Sequence, residues 1–209
     1  MNELTIVVLP TGPLDTNCLV IHDGSRATVI DPGMGAAPLV RATVQELGLT
    51  VEQIVLTHGH IDHVRDLPEL QQEYGVPTYM HHADLPWITR EMLDAMGPLG
   101  EMHDTAHMDV PATPEPVAEG DVLTLAGVEF TAFHMPGHSP GCVMFRGADG
   151  TVLGIGRTDL PLSGPHAMLA SLQRIPEIFT GTDTVYPGHG PSTTIARELQ
   201  SNGFLQGIV

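Results

Sequence analysis

Apolar and polar positions alternate in blocks that lay out the elements of this chain in order. Three short β-type runs open it, "LTIVVLP", "NCLVIHD" and "ATVIDPG", each closed by turn residues. The stretch "APLVRATVQELG" then places Leu39, Val40, Val44 and Leu47 at helical spacing, with Gly48 as its stop. "EQIVLT" reads as a buried strand that runs straight into residues 57–63, "THGHIDH". "HVRDLPELQQEYG" is expected to be helical, with Pro68 in its first turns or starting it afresh. "TYMH" is a further short strand and "ADLPWITREMLDAMG" a further helix.

Residues 97–118 break this rhythm with four prolines and no clear period, and are expected to form a lid-like loop within a single domain spanning 1–209. Two hairpins should follow. One pairs "DVLTLAG" with "VEFTAFHMPG" through Ala126-Gly127, and the other folds "CVMFRGADGTVL" at Asp149-Gly150. A helix near 167–174, the strand "DTVYPG" and a helix near 194–200 close the chain. Strands followed by helices in each half suggest two packed sheets with helices outside, and a doubly wound sheet fits the order nearly as well.

Composition narrows the function classes. Of the 209 residues, 25 are acidic and 8 are arginine, with no lysine, for a formal charge of -17. The arginines are scattered, so nucleic acid is not an expected partner. The apolar runs are far too short to span a membrane, and the amino terminus has neither a basic n-region nor an apolar h-region, so a cytoplasmic protein is expected. Cys18 and Cys142 lie in strand-like contexts without a CxxC partner and read as small core residues.

The histidines change the picture most. His58 and His60 are two apart after a strand, so extended backbone points them the same way, while Asp62 and His63 begin the following helix and turn toward a second location. "MPGHSPG" and "YPGHGP" each put a histidine, His138 and His189, in a Pro-Gly turn after a strand. Neutral imidazole with carboxylate suits zinc, iron or manganese, zinc being commonest for such a set. His22, His81, His82, His103, His107 and His134 show no ligand spacing and read as structural or solvated. Met92, Met96, Met102 and Met108 could form an adaptable substrate wall, although half-buried packing is the plainer explanation.

"THGHIDH", "PGHSPG", "GIGRTDLP" and "YPGHGPSTTIARE", with "GPLDTNCLVI" and "IDPG" near the start, resemble the metallo-β-lactamase fold superfamily, and within it the short glyoxalase II-like (hydroxyacylglutathione hydrolase-like) hydrolases. The resemblance implies an α/β fold, an αββα sandwich of two mixed β-sheets flanked by helices. It implies one metal on His58, His60 and His138 and a second on Asp62, His63 and His189, with Asp62 the catalytic residue that orients the attacking water. Two divalent ions, zinc first and iron or manganese as alternatives, would hydrolyse a small-molecule acyl substrate, a thioester of the S-lactoylglutathione type. A mononuclear iron enzyme similar to persulfide dioxygenases, and a metal-binding homologue without turnover, are the alternatives. A homo-oligomer is left open.

Two departures from the family pattern stand out. The pattern carries a metal-bridging aspartate in a Gly-Asp turn after the strand matching "TVL", but here "TVL" runs directly into "GIGRTDLP". Either that loop is deleted, or the sequence is incomplete there, or Asp159 has taken the role, Asp149 lying in a hairpin turn on the other side of the strand. The helical carboxy-terminal domain with which full-length glyoxalase II enzymes grip glutathione is also absent from the 20 residues after His189.

Overall fold

β2 (Thr16–His22) is buried along its whole length, and its alternation assigns the layers around it. Cys18 and Val20 point to one face and Leu19 and Ile21 to the other, as the period of two in a strand requires. The computed structural model describes residues 4–154 and 164–206. Two six-stranded sheets form the centre. The first runs β1 (Thr5–Thr11), β2, β3 (Arg26–Ile30), β4 (Thr50–Val55), β5 (Thr78–Met80) and β6 (Glu115–Pro116) in spatial order. β1 to β3 are antiparallel and β3 to β6 parallel. The second runs β7 (Val122–Leu125), β8 (Val128–His134), β9 (Val143–Gly147), β10 (Thr151–Leu153), β11 (Thr184–Tyr186) and β12 (Thr193–Thr194). Only β10 and β11 pair in parallel there.

Between the sheets, Leu19, Ile21, Ile30 and Val55 meet Phe130, Val143, Phe145 and Leu153. The outer face of the first sheet is covered by α1 (Ala36–Leu47) and α3 (Leu67–Tyr74), through Ala36, Val40, Leu67 and Leu70 against Cys18, Val20 and Ile54. The outer face of the second is covered by α6 (Pro165–Ile178) and α7 (Ile195–Ser201), through Ile175 and Ile195 against Met144, Val152 and Val185. The result is an αββα sandwich, and a doubly wound single sheet is excluded. No described helix is long and apolar enough to cross a membrane.

Two expected helices are broken. α2 (Ile61–Val64) ends before α3 starts at Leu67, with Pro68 in the first turn of α3, where its missing N–H costs nothing. Residues 82–88 form a 3₁₀ segment containing Pro86, and α4 (Arg90–Ala95) starts separately because Thr89 is extended and its hydroxyl accepts the Met92 N–H. The irregular stretch 97–118 contains α5 (Pro98–Met102), a 3₁₀ turn at Thr105–His107 and β6, and Met108 is buried in the outer core. Arg90 ties it down by donating to the carbonyls of Thr105 and Met108.

Candidate metal centre

The site is built from loops that follow the carboxyl ends of β3, β4, β8 and β11, the positions where chain direction lets side chains from both sheets converge. His58 Nε2 lies 3.0 Å from His138 Nε2, and His60 Nδ1 lies 3.1 Å from the same atom. Beside them, the Asp62 Oδ2 atom is 3.4 Å from His63 Nε2 and 3.3 Å from His189 Nε2. Two sets of three donors are therefore assembled, His58–His60–His138 and Asp62–His63–His189, and they contain all six residues expected from the sequence as ligands.

For His58, His63 and His189 the far side of the ring explains which nitrogen is offered. Thr57 has one hydroxyl proton, which goes to Asp31 Oδ2 at 2.6 Å. His58 Nδ1, 3.0 Å from the same hydroxyl, must then donate to it, and the lone pair is left on Nε2. His63 Nδ1 donates to Asp31 Oδ2 at 2.9 Å, and His189 Nδ1 donates to the Leu14 carbonyl at 3.0 Å. Both therefore turn a lone pair on Nε2 toward Asp62. Such outer partners fix tautomer and ring direction in metal sites.

Electrostatics agree with a cation at this place. Burial, and then neighbouring imidazoles, hold His58 far below the ordinary histidine range, and burial and His138 push His60 down to about 3. These rings stay neutral, as ligands must. Burial would lower His63 too, but the Asp31 and Asp62 carboxylates outweigh it and raise that ring. Burial would raise Asp62, yet His189 and His63 in their protonated form, with the Thr16 hydroxyl, hold it well below the usual carboxylate range, a part that a cation between them would take over.

Several supporting residues were not singled out from the sequence. Asp31, 2% exposed, also accepts the Thr57 N–H at 2.7 Å. It lies near His58 and His63 as a third potential donor set, but its oxygens are already engaged on the Nδ1 side of both rings, so it supports them. Its only signal is "IDPG", where it adopts a left-handed φ of 48°. Asp84, fully buried, accepts from Gly59 N, Ser139 Oγ and Gly141 N and so clamps the His58–His60 loop to the His138 loop. A Cβ on Gly141 would sit 2.7 Å from the Asp84 carboxyl carbon, which is why that position carries none. Asn17 donates from Nδ2 to the carbonyls of Pro187 and Gly190, holding the His189 loop, and the Thr16 hydroxyl donates to Asp62. The Trp87 ring stands edge-on to His60 at 5.0 Å.

The bridging carboxylate has no occupant among the described residues. Asp149 accepts Thr151 N and Oγ1 within its own turn, and Asp159 lies outside the described residues.

A family model for the metallo-beta-lactamase superfamily matches residues 11–197. The probable metallo-hydrolase YqgX of Bacillus subtilis is 32% identical over 96% of this chain and 97% of its own length. The hydroxyacylglutathione hydrolase GloC of Haemophilus influenzae is 31% identical over 97% and 98%. Among solved structures, the BLEG-1 B3 metallo-beta-lactamase superposes with a TM-score of 0.83 at 30% identity, covering 97% of this chain and all of the other. TTHA1623 in a di-iron-bound form gives 0.80 at 34%, covering 95% and 100%. With the αββα sandwich, the ligand-bearing loops at the strand ends and these matches along nearly its whole length, the chain belongs to the metallo-β-lactamase superfamily.

Proposed function

We propose that this chain is a dinuclear metal-dependent hydrolase acting on a small acyl substrate, a thioester of the S-lactoylglutathione type. The observation that carries the reading is the pair of adjoining three-donor sets, with His58 in the first and both rings of the second oriented by protein acceptors. The second set is also what favours hydrolysis over a mononuclear oxygenase or an inert homologue, since neither needs Asp62, His63 and His189 assembled beside the first.

His58, His60 and His138 would hold one divalent ion and Asp62, His63 and His189 the other; zinc suits the histidine-rich sets, and iron remains in view because TTHA1623 holds two. Bound there, the ions would supply Lewis-acid polarisation of the acyl carbonyl and activation of the attacking water at neutral pH. The chain's own part is positioning. Asp62 stays ionised, so it accepts a hydrogen bond from the water and orients it without keeping the proton. Its Oδ2 is steadied by the Thr16 hydroxyl at 3.1 Å. Support for a thioester comes from the likeness to GloC.

The test is hydrolysis of S-lactoylglutathione alongside elemental analysis of the purified protein. Two metal equivalents, and turnover that a chelator abolishes and metal restores, are expected. Two equivalents without turnover of any thioester would overturn the substrate, and fewer than two would overturn the dinuclear site.

A further inference from the structure

A cavity of about 300 Å³ opens beside the metal centre, lined by His189, Ser192, Thr193, Arg197, Glu198 and Ser201 among others. His189 belongs to the Asp62–His63–His189 set, so the cavity shares a wall with the proposed reaction site. Arg197, on the first turn of α7, is exposed and contributes the cavity's cation.

Charge pairing makes this arginine unlike the other described ones. Arg26 pairs with Asp23, Arg41 with Glu69 and Glu73, and Arg65 with Asp66 and Asp104. Arg90 pairs with Asp94, Arg146 with Asp183, and Arg174 with Glu119. Among the described residues, Arg197 alone of the arginines has no carboxylate in ion-pair contact, in a chain where acidic residues outnumber basic ones 25 to 8. Even the adjacent Glu198 does not take it. Glu198 Oε1 accepts the Thr193 hydroxyl at 2.9 Å, and Oε2 accepts Asn202 Nδ2 at 2.9 Å. With both acidic oxygens turned to these partners, the guanidinium keeps its donors for something else.

We propose that Arg197 and this cavity bind a carboxylate on the substrate, so that the enzyme's thioesters are anionic ones carrying a free carboxylate on their thiol or acyl part. The proposal rests on the hydrolase reading above and adds to it the residue that holds the anionic end of such a substrate. A guanidinium is suited to a carboxylate because its donors match the two oxygens as a fork. In a molecule of this net charge, one unpaired arginine beside the reaction site is also the feature that admits an anion where the surrounding field repels it.

The experiment compares the metal-loaded protein with its R197Q and R197K variants. Binding of S-methylglutathione, which has two carboxylates and no free thiol, is measured by calorimetry beside binding of its diethyl ester. The dissociation constant for S-methylglutathione is expected to rise about tenfold in R197Q, the size of one lost charge-assisted hydrogen bond, to recover partly in R197K, and to be unchanged for the diester. With an active thioester, KM should rise by a similar factor while kcat stays within about twofold, since a carboxylate that takes no part in the reaction is held equally in the ground state and the transition state. Equal affinity for acid and ester, or an R197Q variant that binds S-methylglutathione as wild type does, overturns the proposal. Arg197-dependent binding in a protein that hydrolyses no thioester would leave the cavity's role standing and defeat the hydrolase reading alone.

Discussion

Three donors converge on the Asp31 carboxylate: the Thr57 N–H, the Thr57 hydroxyl and His63 Nδ1–H. Remove the carboxylate and Thr57 turns its proton elsewhere, so His58 is no longer obliged to present Nε2, and His63 loses what holds its ring. Asp31→Ala is therefore expected to weaken metal binding by about 10- to 100-fold, the usual cost of losing an outer partner of a ligand. Competition against a chromogenic chelator would measure this, and wild-type affinity in the variant would show that the rings are held by packing alone. The ligands themselves were legible because four of them share seven residues and two more sit in Pro-Gly turns. Asp84 was not, since the groups it holds, Gly59, Ser139 and Gly141, lie 25, 55 and 57 residues away and meet it only in the folded chain.

At the level of elements, periodicity was enough where an element buries one stripe or one face. Leu39 to Leu47 read correctly as α1, and the runs that became β1 to β4 did so because their apolar positions repeat at a period the core imposes. It failed where the element is short or the break is local. β6 and β12 have two residues each, too few to carry a period, and their strand character comes from the neighbour they pair with. The interruption at Thr89 is a hydroxyl capping α4, a choice that hydrophobic spacing does not record. The turn after β11 shows how closely elements approach at the site. A Cβ on Gly188 would stand 2.7 Å from His63 Cε1, and that ring cannot retreat while Asp31 holds its other side. Gly188→Ala should displace His63 and leave about one metal equivalent on the His58–His60–His138 set, with the fold intact. Elemental analysis decides it: two equivalents would mean the ring has room to move.

The whole molecule carries its charge unevenly, and this sets two dependences of stability. Asp183 is 2% exposed and accepts from Arg146 Nε and Nη2 and from Thr180 N and Oγ1. Burial alone would raise its pKa, but Arg146 and Thr180 outweigh burial and lower it. A depressed folded pKa contributes stability above the unfolded value of about 3.9, and that contribution is lost as pH falls through it toward the folded value. Urea melts of wild type and Asp183→Asn should therefore differ most at pH 6 and draw together as pH falls below about 3.9; a constant difference would deny the linkage. The second dependence is on metal. The donors come from residues 58–63, 138 and 189, which only the folded chain brings together, and they sit in a protein whose net charge of -17 opposes compaction. Ions that bind the native state alone stabilise it by RT ln(1 + [L]/Kd), about 2.7 kcal/mol at a hundredfold excess over Kd. For a chain of this size that is a rise in Tm of about 5–11 °C. Protein stripped by chelator should melt lower by that amount and climb again with the logarithm of added zinc. Magnesium, which prefers oxygen donors, should reproduce little of the rise. If magnesium and zinc act alike, the ions are screening surface carboxylates, and the two histidine-bearing sets are not what holds them.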